Sequence, residues 1–466
     1  MEIIGINTFR QPVHCMFGTS GIRGIYGKDV TEALAMKVAN VFAGKRLVIA
    51  RDTRGSGIPL SHAVAAGALS AGADVIDLGI APTPTAALAT KKYACRGIMI
   101  TASHNPPEYN GLKLIEDGKE IGKETEGEVT KAYREAQQKT AKPGTMLHDN
   151  EIIDEHKKFV AGRVDSALIG KKKPKIIVDC NGSASVITPF LLSDLGCQVV
   201  TMNTSLEGFG RASEPNEKNL SALAKLVPAT GADFGIAHDG DGDRCVIVDD
   251  TGAVLPLDVQ LAIMIEHELE KIKSEETKQK NKKASESEQK TKNKKIISTV
   301  EASLAIRDVV ENAGGEIEIT PVGSTYIAEA LEASGAIFGG EPCGEYVYGD
   351  GVHMPDAVLA AAKFAEIFCL KGKFSKLKNK YRQNFMARER FPAKDKYATV
   401  EKIKKTLSVR GKLRTDDGIR VDEDDGWFLI RASGTEPIVR LTMEYKTKEK
   451  LENRKNEMTT LIKANL

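Results

Sequence analysis

The sequence predicts an α/β fold built from several domains, and three observations carry that prediction. A strand–polar turn–helix–glycine–strand unit recurs three times. The chain has 466 residues, enough for three or four domains at roughly 100–200 residues each. The last stretch, about 90 residues, then changes character from helix-rich units to β-rich runs. The first unit is the apolar run Arg46–Ala50, the turn Arg51-Asp52-Thr53-Arg54-Gly55, a helical stretch ending at Ala71-Gly72-Ala73, and the run Asp74–Ile80. The second is Lys175–Val178, the turn Asp179-Cys180-Asn181-Gly182, a helix closed at Leu195-Gly196-Cys197, and Gln198–Thr201. The third is Ile296–Thr299, the turn Val300-Glu301-Ala302-Ser303, a helix closed at Ala313-Gly314-Gly315, and Glu316–Thr320. Each is a βαβ unit, which implies parallel strands joined by a crossover helix. Their wide spacing argues for three related domains rather than a solenoid, whose period would be about 20–50 residues. One large doubly wound sheet is the alternative. Trp427–Arg431 and Ile438–Tyr445 read as strands between the helical stretches Val400–Thr406 and Lys448–Ala464, so a smaller α+β domain ends the chain.

Charge is nearly balanced, 66 Lys and Arg against 64 Asp and Glu, which excludes a generally basic nucleic-acid binder. No apolar run is long enough to span a bilayer. Met1–Cys15 lacks a basic segment followed by an apolar core, so no signal peptide is expected. The seven cysteines are scattered and never form a C-x-x-C pair, which argues against a disulfide framework or a zinc site. A cytoplasmic protein without membrane or nucleic-acid partners is expected. Lys271–Lys295 stands apart, with ten Lys, four Glu and one apolar residue other than alanine, Ile272. It reads as a solvated insertion, a loop or a frayed helical extension, with a basic tether as the alternative.

Four polar loops carry the chemistry. Thr101-Ala102-Ser103-His104-Asn105-Pro106-Pro107 follows the strand Gly97–Ile100, and Lys113 lies ten residues after Ser103. A serine beside His and Asn in a Pro-terminated loop is a candidate nucleophile; a helix N-cap or ST-turn is the competing reading. No G-x-S-x-G elbow is present, so an α/β-hydrolase is excluded. Asp239-Gly240-Asp241-Gly242-Asp243-Arg244 sets three carboxylates at a spacing of two. Adjacent carboxylates repel unless a hard cation holds them, and all-oxygen ligands suit Mg²⁺. An EF-hand is excluded, because Arg244 stands where that loop needs Gly and no closing Glu follows. Gly339-Gly340-Glu341-Pro342-Cys343-Gly344-Glu345 suits sugar hydroxyls, and reads equally as a tight turn. Arg431-Ala432-Ser433-Gly434-Thr435-Glu436-Pro437, with Arg440 beyond, offers a guanidinium, hydroxyls and exposed backbone N–H groups to a phosphate; a surface turn is the alternative. Phe17–Gly24 is a further glycine loop, and it contains Arg23.

Together these loops resemble the α-D-phosphohexomutase superfamily, over essentially the whole chain from about Phe17 apart from the Lys-rich insertion. The resemblance implies four domains around a central cleft, the first three with related mixed or parallel α/β cores. The expected divisions are 1–147, 148–253, 254–372 and 373–466. It implies that Ser103 carries a phosphoryl group and, with Asp239, Asp241 and Asp243, holds Mg²⁺. Arg23, His104 and Lys113 would surround the reacting hydroxyl, Lys113 as general acid/base. Arg244, Glu341 and Cys343 would bind the sugar, and Arg431, Ser433, Gly434 and Thr435 the non-reacting phosphate. A sugar 1,6-bisphosphate would be intermediate and activator, and the enzyme a monomer or homodimer. Cys343 departs from the family's usual Ser. Ser324 after Gly323, and RASGTEPIVR followed by Glu444, lean towards an archaeal-type phosphoglucosamine mutase acting on glucosamine 6-phosphate. Phosphomannomutase/phosphoglucomutase is the alternative, and a non-catalytic sugar-phosphate-binding protein the remote one.

Overall fold

A computed structural model describes residues 16–18, 20–135, 137–282, 293–381, 384–434 and 436–466. Four separate sheets replace the alternative of one large sheet. The second sheet orders Cys245–Val248, Phe234–His238, Lys175–Asp179 and Gln198–Met202; the last three are parallel and the first is antiparallel to its neighbour. The third sheet repeats the arrangement with Glu345–Tyr348, Phe338–Glu341, Lys295–Thr299 and Glu316–Thr320. The first contains the same set, Tyr109–Glu116, Arg96–Ile100, Arg46–Arg51 and Asp74–Ile80, extended by Ile22–Ile25, Lys119–Glu120 and Met146–His148. The central strands are buried runs of Ile, Val, Leu and Ala, which parallel strands covered on both faces require.

This repetition places the chemistry. In each of the three sheets the chain leaves a buried parallel strand, turns, and returns as the antiparallel strand beside it. The three returns are residues 101–108, 239–244 and 342–344, three of the four loops singled out from sequence. The fourth sheet is wholly antiparallel, in the order Phe385–Pro392, Ile438–Tyr445, Gly426–Ala432, Ile419–Glu423 and Lys412–Arg414. Its central hairpin joins Gly426–Ala432 to Ile438–Tyr445 through the remaining loop.

The cores are less separate than the sheets. Helix Ala357–Lys371 follows the third sheet in the chain but packs on the helices Ser166–Lys172 and Thr188–Asp194 and the strand Cys245–Val248 of the second. One continuous apolar cluster, from Val160 to Tyr381, therefore spans both units. The helix Leu257–Lys282 runs into the Lys-rich segment, and residues 283–292 lie outside the described residues. The start of that segment takes the helical alternative, but it is anchored rather than fully solvated. Ile272 is buried, and Lys271 Nζ donates to Arg163 O at 2.9 Å. Among the described residues, no helix is long and apolar enough to cross a membrane.

The fourth sheet is fastened to the third unit through buried polar contacts. Arg420 is fully buried, stacks on Trp427 at 4.0 Å, and donates to Val300 O and, at 3.1 Å, to Ala302 O. Buried Glu444 accepts from Leu304 N at 2.9 Å, at the start of helix Leu304–Asn312, and from Trp427 Nε1 at 2.7 Å. Removing one partner from such a seam leaves buried groups unpaired. Arg420→Met is expected to cost about 3–5 kcal/mol. The chain's single tryptophan sits at the seam, so its fluorescence should report a lower urea midpoint; an unshifted midpoint would contradict this reading.

Candidate active site

The loop after Arg96–Ile100 is built around one guanidinium. Arg54 is buried and paired with Asp52 at 3.0 Å. It donates to four loop carbonyls: Ser103 O at 2.9 Å, Asn105 O at 2.8 Å, Pro106 O at 2.5 Å and Tyr109 O at 2.9 Å. Phe209, from the second unit, covers it with its ring centre 4.8 Å away. Thr101 Oγ1 donates to Asp52 and accepts from Ser103 N, both at 2.8 Å. Ser103 is thereby held at φ +48°, a left-handed conformation that a serine adopts only under constraint. It caps no helix, which removes the N-cap alternative.

The loop after Phe234–His238 meets it. Gly242 turns the chain at φ +66°, where a side chain would be strained. Asp239, Asp241 and Asp243 are all buried, with ligand oxygens within 4.8 Å of one another. Ser103 Oγ donates to Asp239 Oδ2 at 2.7 Å. Lys113 reaches Asp241 at 2.9 Å and Asp243 at 2.5 Å, and Thr83 Oγ1 donates to Asp241 at 2.6 Å. Burial, then Asp243 and Asp241, pushes Asp239 well above the usual carboxylate range. Burial and Asp241 likewise raise Asp243. For Asp241 burial also pushes upward, but Lys113 and the Thr83 bond outweigh it and hold the carboxyl low. Burial opposes the charge on Lys113, yet Asp241 and Asp243 keep its ammonium well above the ordinary lysine range. Asp241 Oδ1 and Asp243 Oδ1 are buried with no hydrogen-bond partner. Orphaned oxygens on crowded carboxylates are the donor set of a hard divalent cation, so these residues fit Mg²⁺.

The remaining predicted residues divide into two groups. Arg23 Nη2 donates to Ser20 Oγ at 3.1 Å and Nη1 to Asn105 Oδ1 at 3.5 Å, at the rim of the serine loop. His104 Nδ1 lies 3.4 Å from Ser103 Oγ. Arg244, then burial and Arg23, push His104 down to about 2, so its ring is neutral. Arg244 Nε donates to Glu345 Oε1 at 3.1 Å, and Cys245 N to Gly344 O at 2.9 Å, stitching the metal loop to the sugar loop. Glu341, Cys343 and Glu345 cluster within 4.8 Å, and burial and Glu345 raise the Glu341 carboxyl. These residues form one continuous constellation.

The phosphate loop stands apart. Arg431 Nε donates to Asp417 at 2.8 Å. Ser433 is buried, its Oγ accepting from Glu436 N at 3.3 Å, while Gly434 is exposed. Thr435 lies outside the described residues. Among those described, no hydrogen bond joins Arg431, Ser433 or Gly434 to the Ser103 group. Sequence reasoning missed Arg54, Thr83, Ser213, Lys396 and Asp417, and gave Glu345 no role of its own within the sugar loop. Ser213 Oγ donates to Ser103 O at 2.8 Å and accepts from Gly240 N at 2.9 Å, tying the two reactive loops together. Lys396 Nζ donates to Ser433 O and, at 3.1 Å, to Glu436 O. The one signal available was the polar turn Arg51–Gly55, an Asp and an Arg two apart directly after a buried strand.

Comparison with known proteins identifies the arrangement. Models of the phosphoglucomutase/phosphomannomutase domains match this chain in order: alpha/beta/alpha domain I at residues 14–140, domain II at 154–252, domain III at 280–385 and the C-terminal domain at 386–461. The chain belongs to the phosphoglucomutase/phosphomannomutase family. It is 38% identical over 440 residues to a probable phosphoglucosamine mutase of Methanosarcina barkeri, covering 92% of this chain and 95% of that protein. It is 37% identical over 454 residues to a phosphoglucomutase/phosphomannomutase of Thermococcus kodakarensis, covering 93% and 95%. The crystal structure of a phosphoglucomutase/phosphomannomutase family protein from Burkholderia thailandensis superimposes with a TM-score of 0.82 at 26% identity, over 97% of each chain. The four-domain α/β architecture expected from the loops is the architecture of this family.

The geometry around Arg54 makes a prediction independent of turnover. Arg54→Met should speed amide exchange across Thr101–Tyr109 by about 100-fold, equivalent to losing roughly 3 kcal/mol of local protection. The strand Gly426–Ala432 should exchange at its unaltered rate. Equal protection of the loop in the variant would refute the role given to Arg54.

Proposed function

We propose that this protein is a phosphohexose mutase that moves a phosphoryl group between the 6- and 1-positions of a hexose phosphate, through phospho-Ser103 and a 1,6-bisphosphate. The observation that carries the proposal is the Ser103 Oγ at 2.7 Å from Asp239, inside a cluster of buried carboxylates with orphaned oxygens. A serine hydroxyl is a weak nucleophile at neutral pH and needs neighbouring charge to become a phosphoryl carrier. Mg²⁺ held by Asp239, Asp241, Asp243 and a phosphoserine oxygen would neutralise charge developing on the transferred group.

The chain's own residues supply the rest. Arg54 and Ser213 fix the carbonyl side of Ser103 so that its Oγ points at the metal loop. The phosphoryl group passes from Ser103 to a sugar hydroxyl, the O–P bond to serine breaking as that to the sugar forms. The hydroxyl proton leaves to a neutral side chain beside Ser103, with His104 the residue in place, while Lys113, held as an ammonium, stands as the proton donor to the departing sugar oxygen. Arg244, Glu341 and Cys343 orient the ring. The bisphosphate turns over within the cleft, and its other phosphoryl group returns to Ser103. Arg431, Ser433, Gly434 and Thr435 hold whichever phosphate is not reacting, which requires an anchor remote from Ser103. The divisions 1–147, 148–253, 254–372 and 373–466 give each domain one of these loops, though helix Ala357–Lys371 packs across the second division.

Glucosamine 6-phosphate is the substrate we favour, from Ser324 following Gly323 and from the RASGTEP ending; mannose and glucose phosphates are the second reading, since a similar protein of Thermococcus kodakarensis carries that name. Assayed with Mg²⁺ and glucose 1,6-bisphosphate, kcat/KM should rank glucosamine 6-phosphate above mannose and glucose 6-phosphates. A reversed ranking overturns the substrate but not the reaction. Ser103→Ala is expected to lose about 10⁴-fold or more in kcat, the scale of losing a nucleophile; retention of full turnover overturns the mechanism. Chelation should stop turnover and added Mg²⁺ restore it, with Asp241→Asn needing a higher Mg²⁺ concentration for half-maximal rate. Turnover indifferent to chelation would remove the metal from the account.

A further inference from the structure

We infer that Asp417 is a positioning residue, which aims Arg431 at the phosphate and ties the phosphate loop to the sugar loop of the third domain. The inference rests on the reading of Arg431–Pro437 as a phosphate site. Asp417 lies in the turn before the strand Ile419–Glu423. Both of its carboxylate oxygens sit 2.8 Å from Arg431 Nε. The guanidinium is thus gripped by one nitrogen of its fork, and Nη1 and Nη2 bond to no described residue. A planar guanidinium fixed at Nε cannot swing, and its terminal edge presents paired N–H donors in the geometry that suits phosphate oxygens.

The same carboxylate reaches across to the third domain. Asp417 Oδ2 also accepts from Val322 N at 2.9 Å. The next residue, Gly323, donates its N–H to Glu341 Oε1 at 2.9 Å. Gly323 has φ +137°, a conformation closed to ordinary side chains, and it lets two successive N–H groups serve carboxylates on different domains. Arg431, Asp417, Val322, Gly323 and Glu341 therefore form one connected path from the phosphate loop to the sugar loop. A carboxylate near a phosphate dianion opposes binding by charge alone, so its contribution must come through orientation of Arg431. Asp417 instead competing with phosphate for Arg431 is the contrary case, and it makes the opposite prediction.

The test uses the full-length enzyme and whichever of glucosamine, mannose and glucose 6-phosphate it turns over fastest. Asp417→Ala is expected to raise KM about tenfold with kcat within about threefold, because the grip on the non-reacting phosphate is made equally in the ground and transition states. A merely structural role would instead lower kcat by reducing the active fraction and leave KM alone. Asp417→Asn keeps acceptor oxygen for Arg431 and Val322 and is expected to raise KM only about threefold. Combined with Arg431→Ala, the Asp417→Ala change should raise KM no further than Arg431→Ala does alone, since Asp417 acts through Arg431. An unchanged or lowered KM in Asp417→Ala, a fall in kcat alone, or additive effects in the pair would overturn the inference while Arg431→Ala still raises KM. If Arg431→Ala leaves KM unaltered, the phosphate-site reading falls, and this inference with it.

Discussion

Three buried carboxylates and one buried ammonium share the space between the first two sheets, and much of the molecule is arranged to keep them there. Like charges about 4 Å apart repel by roughly 4 kcal/mol at an effective dielectric of 20. Lys113 offsets part of that, reaching two of the three carboxylates, but two carboxylate oxygens stay orphaned. That excess of acceptors is what makes the loop a receptor for a divalent cation. It also explains why Ser103 must be held by its backbone. Its side chain faces the carboxylates, with Oγ on Asp239, so the carbonyls of its loop are what Arg54 anchors.

A second constraint is topological. Following a parallel strand with one that returns antiparallel beside it creates a hairpin, at the edge of the second and third sheets and one strand in from the edge of the first. Three sheets built alike therefore offer three equivalent hairpins, and the fourth sheet offers its own. Each hairpin carries different side chains: a serine, a carboxylate run, a Glu–Cys–Glu cluster, and an arginine beside a serine. The turns differ in chemistry while the buried Ile and Val strands beneath them are alike. Polar contacts between the units then add to the apolar core that the second and third share. Ser103 meets Asp239, Arg244 meets Glu345, and Asp417 bridges Arg431 and Val322.

Much of this was legible in the sequence, and the reason is locality. Asp239, Asp241 and Asp243 lie within five residues, so their mutual repulsion and need for a cation can be read without a fold. The three βαβ units were legible because each encodes its strand, helix stop and second strand in one stretch. What escaped was whatever depends on distant partners. Arg54 reads as a solvated arginine in a turn; its four carbonyls lie 49 to 55 residues away. Asp417 lies 95 residues from Val322, and Thr83 158 from Asp241. Helix Ala357–Lys371 was also hidden, because an alanine-rich apolar helix does not announce which of two adjacent sheets it covers. At the start of the basic segment, composition alone did not reveal that Ile272 is buried and that Lys271 is tied to Arg163.

The central claim is that Ser103 is the phosphoryl carrier at the meeting of two hairpins. It is tested most directly by the mass of the intact protein after incubation with glucose 1,6-bisphosphate and Mg²⁺. The account predicts one covalent phosphate, mapped by peptide fragmentation to Ser103 and discharged when hexose monophosphate is added. An enzyme that turns over while Ser103 never carries phosphate would contradict it.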